Sequence, residues 1–155
     1  MTLTAHKDGD DASSGASYLD IARVLMDHGA RTDKDLRQLW LRIVFNMMVC
    51  NADDHLRNHG FILDPGRGWR LSPAYDMNPA PDAHELRLNV SERDNAIDLD
   101  LALSVAPYFR LKAADAVALV SHCKQIVKQW PELAQQLGIS VRKQKRMAPA
   151  FRLSN

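Results

Sequence analysis

At 155 residues, 46% of them hydrophobic, the chain has the size of one domain and enough apolar material to bury a core. Its 20 basic and 19 acidic residues leave a net charge of +1, which excludes a global field for nucleic acid or membrane. Cys50 and Cys123 sit in apolar runs and read as small buried hydrophobes of a reducing compartment, not as a disulfide scaffold. No apolar run is long enough to span a membrane and the first residues are too polar for a signal peptide, so a cytoplasmic location is expected.

Residues 1–16 lack periodicity and are expected to form a flexible segment ahead of one domain over 17–155. Ser17 can cap a helix from Tyr18 to His28, which Gly29 would end by turning left-handed. Thr32 and Asp35 resemble a capping box for a second helix running from about Asp33 to Cys50. Its apolar residues recur at three- and four-residue spacing through Leu36, Leu39, Trp40, Ile43, Val44, Met47 and Met48. From Ile43 to Cys50 it is apolar almost all round, broken only by Asn46, and such a helix belongs at the centre of a domain. Gly60–Leu63 and Trp69–Leu71 read as a hairpin around Asp64-Pro65-Gly66-Arg67-Gly68. Pro73 stops that ladder, residues 77–83 are loop, and Glu85 to Val90 reads as a short extended piece. The remainder is helical. A short helix over Leu99 to Val105 is capped by Asp98, and a long amphipathic one runs from Lys112 to Trp130 through Val117, Val120, Cys123, Ile126 and Val127. Pro131 starts a short segment, and Ser140 can cap a last helix running into a basic tail. The expected fold class is α+β and mostly helical.

The chemistry concentrates in N-A-D-D-H-L-R-N at residues 51–58, which the buried helix would project as a polar loop, and in S-P-A-Y-D at residues 72–76. Asp53, Asn58 five positions on and Asp76 beyond the hairpin follow the order in which protein kinases place a base and hold Mg²⁺. Other readings are weaker. His55 and His59 stand four apart, but Leu56 occupies the place where a zinc hydrolase needs its glutamate. Arg142, Lys143, Lys145 and Arg146 form a charged helix face with no interleaved aromatic, so direct nucleic-acid binding is not expected.

S-Y-L-D-I-A, R-I-V-F-N, N-A-D-D-H-L-R-N-H-G-F and W-R-L-S-P-A-Y-D-M-N-P, all within residues 17–80, resemble the C-terminal lobe of the HipA family of bacterial serine/threonine kinases, toxins of toxin–antitoxin pairs. The resemblance implies a kinase-like lobe whose small hairpin carries a metal-binding loop. By position, Asp53 resembles the catalytic aspartate that receives or orients the substrate hydroxyl proton. Asn58 and Asp76 resemble the Mg²⁺ ligands that also contact nucleotide, and His55 the histidine that supports the loop. Asp54 falls one place too late, counted back from Asn58, to be the base. The implied cofactors are Mg²⁺ and ATP. The implied partners are a protein substrate and a HipB-like DNA-binding antitoxin.

The chain departs from the kinase pattern upstream of Asp53. It has no glycine-rich phosphate loop and no strand lysine there, so these residues are expected to lack an N-terminal nucleotide-clamping lobe, as in a truncated gene or one with a mis-assigned start. Removal of one preorganised donor typically costs about 10²–10³ in kcat, so this chain alone is expected to bind ATP weakly and to transfer phosphate negligibly. A non-catalytic partner-binding module, or a remnant of a truncated toxin, is the alternative. In either case an apolar face meant for the missing lobe should be exposed and could drive self-association.

Overall fold

The computed structural model describes residues 3–154. Met1 and Thr2, the start of the expected flexible segment, lie outside the described residues. Among the described residues the fold is mostly helical with one two-stranded antiparallel sheet. Helices α1 (Tyr18–His28), α2 (Thr32–Met48), α3 (Leu99–Val105), α4 (Ala113–Val127), α5 (Trp130–Gln136) and α6 (Val141–Met147) surround or follow the central α2. No helix among the described residues is long and apolar enough to cross a membrane.

The apolar face read from the sequence is the core. Leu36, Leu39, Trp40, Ile43, Val44, Met47 and Met48 of α2 are all buried, against Tyr18, Ile21 and Leu25 of α1 and Ala102, Val105, Ala116 and Val120 of the later helices. The Trp40 indole N–H finds its partner in the Ala102 carbonyl at 2.9 Å, which ties α3 to α2. Ser17 caps α1 as expected. Its hydroxyl accepts from the Leu19 N–H at 3.0 Å, and Asp20 accepts from the Ser17 N–H at 2.9 Å.

Several local expectations are corrected. Thr32 does not cap α2. It is the first helical residue, and its hydroxyl donates to the carbonyls of Leu25 and Gly29, which the end of α1 leaves open. Asp35 is buried and accepts the Leu71 N–H at 3.0 Å, so it anchors the hairpin instead of a helix end. Gly29 is extended (φ −77°), not left-handed; a Cβ there would stand 2.1 Å from the Leu25 carbonyl oxygen. The long helix α4 ends at Val127, Trp130 opens α5, and Val117 and Ile126 face outward.

The hairpin pairs β1 (Phe61–Asp64) with β2 (Gly68–Leu71), Phe61 opposite Leu71 and Asp64 opposite Gly68. It is docked to the end of α1 through the Ala30 N–H, which donates to the Trp69 carbonyl at 2.7 Å. Contact is so close that a Cβ on Gly68 (φ +119°) would meet the His28 carbonyl oxygen at 2.4 Å. Leu86, Leu88 and Val90 are buried in the extended piece, which makes only isolated bridges. Residues 12–16 lie along it: the Ala12 N–H donates to the Arg87 carbonyl at 2.8 Å and the Asn89 N–H to the Ala16 carbonyl at 2.9 Å.

Candidate active site

The site is built from the C-terminal end of α2. Beyond Met48, Cys50 takes a left-handed conformation (φ +52°), and the Asn51 N–H donates back to the Asn46 carbonyl at 2.8 Å. The helix therefore stops two residues before the expected Cys50, and the chain turns into the polar loop. A 3₁₀ turn over Leu56–Asn58 closes that loop, the Asn58 N–H donating to the His55 carbonyl at 2.8 Å.

Consecutive aspartates in the loop face opposite ways. Asp53 points outward, its side chain 80% exposed, with the Arg87 guanidinium 3.6 Å from its carboxylate. Asp54 points inward and is buried. A single oxygen of Asp54, Oδ2, accepts from the Tyr18 hydroxyl at 2.5 Å and the Asn46 amide at 2.7 Å, with His59 Nε2 at 2.9 Å. The Tyr18 and His59 rings meet edge to face with centroids 5.6 Å apart. Burial, reinforced by the Asp54 charge, pushes the Tyr18 hydroxyl well above its ordinary pKa, so it stays a donor. Arg42 lies buried beside this cluster. Burial lowers its pKa, the Asp54 charge opposes that, and one of its amino groups donates to the Ser72 carbonyl.

The structure brings Asn58 and Asp76 together. The Asn58 amide nitrogen donates to Asp76 Oδ2 at 3.1 Å. Asp76 is exposed and left-handed (φ +57°), a conformation that aspartate tolerates better than most residues. Asn78 donates to its Oδ1 at 2.7 Å, and the Asn51 amide reaches its main-chain carbonyl at 3.4 Å. The Tyr75 hydroxyl donates to the Arg57 carbonyl at 2.5 Å and clips the segment after the hairpin onto the loop. Asp53 lies on the same loop but bonds to neither member of the pair.

The donor set fits Mg²⁺. With the Asn58 amide turned so that its oxygen takes the place of its nitrogen, two hard oxygens stand 3.1 Å apart. Adjacent ligands around octahedral Mg²⁺ are about 2.9 Å apart for bonds of about 2.05 Å. Among the described residues no group of three or more acidic, histidine or cysteine side chains could cage a metal. Two protein ligands, with phosphate and water completing the shell, are the usual arrangement for this ion.

Residues that sequence reasoning did not assign hold the loop in place. His59 anchors it through its ring on Asp54; the half-buried His55 contributes its carbonyl and a 3.5 Å contact of its Nε2 with the Arg57 guanidinium, and Nδ1 of each ring has no partner. Tyr18, Asn46, Asn51 and Asp54 complete the support. One signal was available: Asn46 breaks an otherwise apolar helix end, and a buried amide needs partners. An apolar groove of about 590 Å³ begins next to the site at Met77 and Pro79 and continues along Phe45, Trp130, Leu133 and Leu137.

A family model described as the HipA-like C-terminal domain matches residues 1–149. A Haemophilus influenzae protein described as "Putative kinase" is 32% identical over 79 residues, which cover 49% of this chain and 23% of that protein. The fold is similar to a chain of the solved Shewanella oneidensis MR-1 complex of the toxin–antitoxin proteins HipA and HipB with operator DNA. The TM-score is 0.66 at 14% identity, over 97% of this chain and 35% of that one. The chain thus spans about a quarter to a third of the length of these relatives.

Proposed function

The chain belongs to the HipA-like C-terminal domain family, and from that premise we propose that it is the catalytic lobe of a Mg-ATP-dependent serine/threonine protein kinase. The observation that carries the reading is the Asn58–Asp76 pair at 3.1 Å, with Asp53 projecting outward from the same loop. Asp53 orients a substrate hydroxyl and receives its proton as the oxygen attacks phosphorus. Its exposure leaves it accessible to a protein side chain, and Arg87 balances its charge. Asn58 and Asp76 hold the metal–nucleotide; bound there, Mg²⁺ supplies neutralisation of charge on the phosphates. The phosphate loop and lysine absent from residues 1–155 come from another lobe, in cis or in trans. The solved relative's complex with HipB and operator DNA makes a HipB-like antitoxin the natural partner to test.

A second reading, a partner-binding module without catalysis, draws support from the open apolar groove. Two measurements separate the readings. Residues 1–155 alone should transfer no phosphate from ATP; joined to a lobe with a glycine-rich loop and lysine, they should phosphorylate serine, and Asp53→Asn should abolish this. Transfer by the isolated chain, lost in Asp53→Asn, would refute the need for a second lobe. Thermal melts with Mg-ADP address the module: a ligand at a hundred times its Kd adds about 2.7 kcal/mol, and no shift at millimolar concentration in the joined form favours it.

A further inference from the structure

Asn46 is the one polar side chain in the apolar end of α2, and both ends of its amide are used. Its nitrogen donates to Asp54 Oδ2 at 2.7 Å, while its oxygen accepts from the Asn51 amide at 3.1 Å. That same Asn51 nitrogen reaches the Asp76 carbonyl at 3.4 Å. A continuous path of hydrogen bonds, buried up to its half-buried last link at the exposed Asp76, thus runs from the loop that carries Asp53, through α2, to the backbone of Asp76. Asn58 and Asp54 also line one small crevice with Arg42 and Asn46.

We propose that Asp54, Asn46 and Asn51 form a positioning relay that sets the orientation of the Asp76 carboxylate toward Asn58. The inference rests on the reading of Asn58 and Asp76 as metal ligands. The relay has a direction. A carboxylate can only accept, so Asp54 dictates which way the Asn46 amide lies. The Asn46 oxygen is thereby turned toward Asn51, and Asn51 must donate. Its donor group then also meets the Asp76 carbonyl, at a residue whose left-handed backbone needs fastening. On the other side of Asp54, Tyr18 and His59 hold the start of the relay against α1 and the hairpin. Asp53 and Asp76, distant in sequence, are thus referred to one rigid helix end.

The test is a Mn²⁺ titration of residues 1–155 followed by paramagnetic broadening of the Asn58 and Asp76 amide resonances, with thermal midpoints measured in parallel. Asn51→Ala severs the relay at its last link. The expected result is a Mn²⁺ dissociation constant raised about tenfold or more, the usual effect of losing a support behind a metal ligand. Asn46→Leu should raise it similarly, and the double variant no further than either alone, because the residues act in series. Should Asn46→Leu fail to fold, Asn51→Ala alone decides. A lowered melting temperature in Asn51→Ala with unchanged Mn²⁺ affinity overturns the relay and leaves the metal site standing. If the unaltered chain shows no broadening at Asn58 and Asp76, or Asp76→Asn retains it, the metal-site reading fails and the relay falls with it.

Discussion

Asn58 and Asp76, eighteen positions apart, meet at 3.1 Å because the hairpin between them returns the chain to the loop it left. Asp53 faces solvent from that loop, apart from the pair. On the proposed reading of Asp53 as proton acceptor and of Asn58 and Asp76 as metal ligands, this separation predicts different kinetic signatures. In the form joined to a nucleotide-clamping lobe, Asp53→Asn should lower kcat about 10²–10⁴-fold, the range for loss of a general base, with the KM for ATP little changed. Asp76→Asn should lower kcat and raise the Mg²⁺ requirement together. A raised Mg²⁺ requirement in Asp53→Asn would contradict the assignment.

Asp54 should matter more for stability than its neighbour. Asp54→Ala leaves the Tyr18 hydroxyl, the Asn46 amide and His59 without their shared acceptor. Each buried donor left without an acceptor costs about 1–3 kcal/mol, so the variant should lose about 3 kcal/mol or more. Asp53→Ala, at an exposed position, should stay within about 0.5 kcal/mol. Urea unfolding of both variants measures the difference, and equal costs would show that Asp54 is not the anchor.

The N-terminal segment carries a pH-dependent clasp. His6 has one ring nitrogen 3.1 Å from Asp10 and the other 3.0 Å from Asp20. Burial alone would lower its pKa, but the hydrogen bonds to Asp20 and Asp10 and their charges outweigh it, so the value lies above the ordinary 6.5. A raised histidine pKa stabilises fully below 6.5 and loses that contribution as pH rises through the folded-state value. The Lys7 backbone N–H, then His6, lower the pKa of Asp10 below 3.8, so its share is present above 3.8 and lost as pH falls through the depressed value. Amide exchange at residues 6–10 should therefore accelerate with pH above 6.5 beyond the intrinsic rate, and His6→Ala should remove that excess. An identical excess in the variant would rule out the clasp.

The two turn glycines of the hairpin should respond differently to alanine. Gly68 has φ +119°, and a Cβ would strike the His28 carbonyl oxygen at 2.4 Å, whereas Gly66, at φ +75°, has nothing within 4 Å. Gly66→Ala should cost about 1 kcal/mol for backbone strain alone. Gly68→Ala should cost more, about 1–3 kcal/mol or above, because the hairpin must also move off α1. Thermal melts compare them, and equal losses would show that the hairpin is not held against α1.

The sequence by itself determined the central helix, its neighbours and the hairpin. Helical periodicity and turn residues are local signals, and the apolar run of α2 left no other place for it than the core. It also marked Asp53, Asn58 and Asp76 by order and spacing. Thr32 and Asp35 were misread because their best partners lie in other elements, the open carbonyls of α1 and the Leu71 N–H. The same reason hid Asp54. In the sequence it is one of two adjacent aspartates, and only the packing of Tyr18, Asn46 and His59 around one oxygen separates the buried anchor from the exposed acid. Local pattern reports which face of an element is apolar; which polar groups meet across elements is decided when every buried donor must find an acceptor.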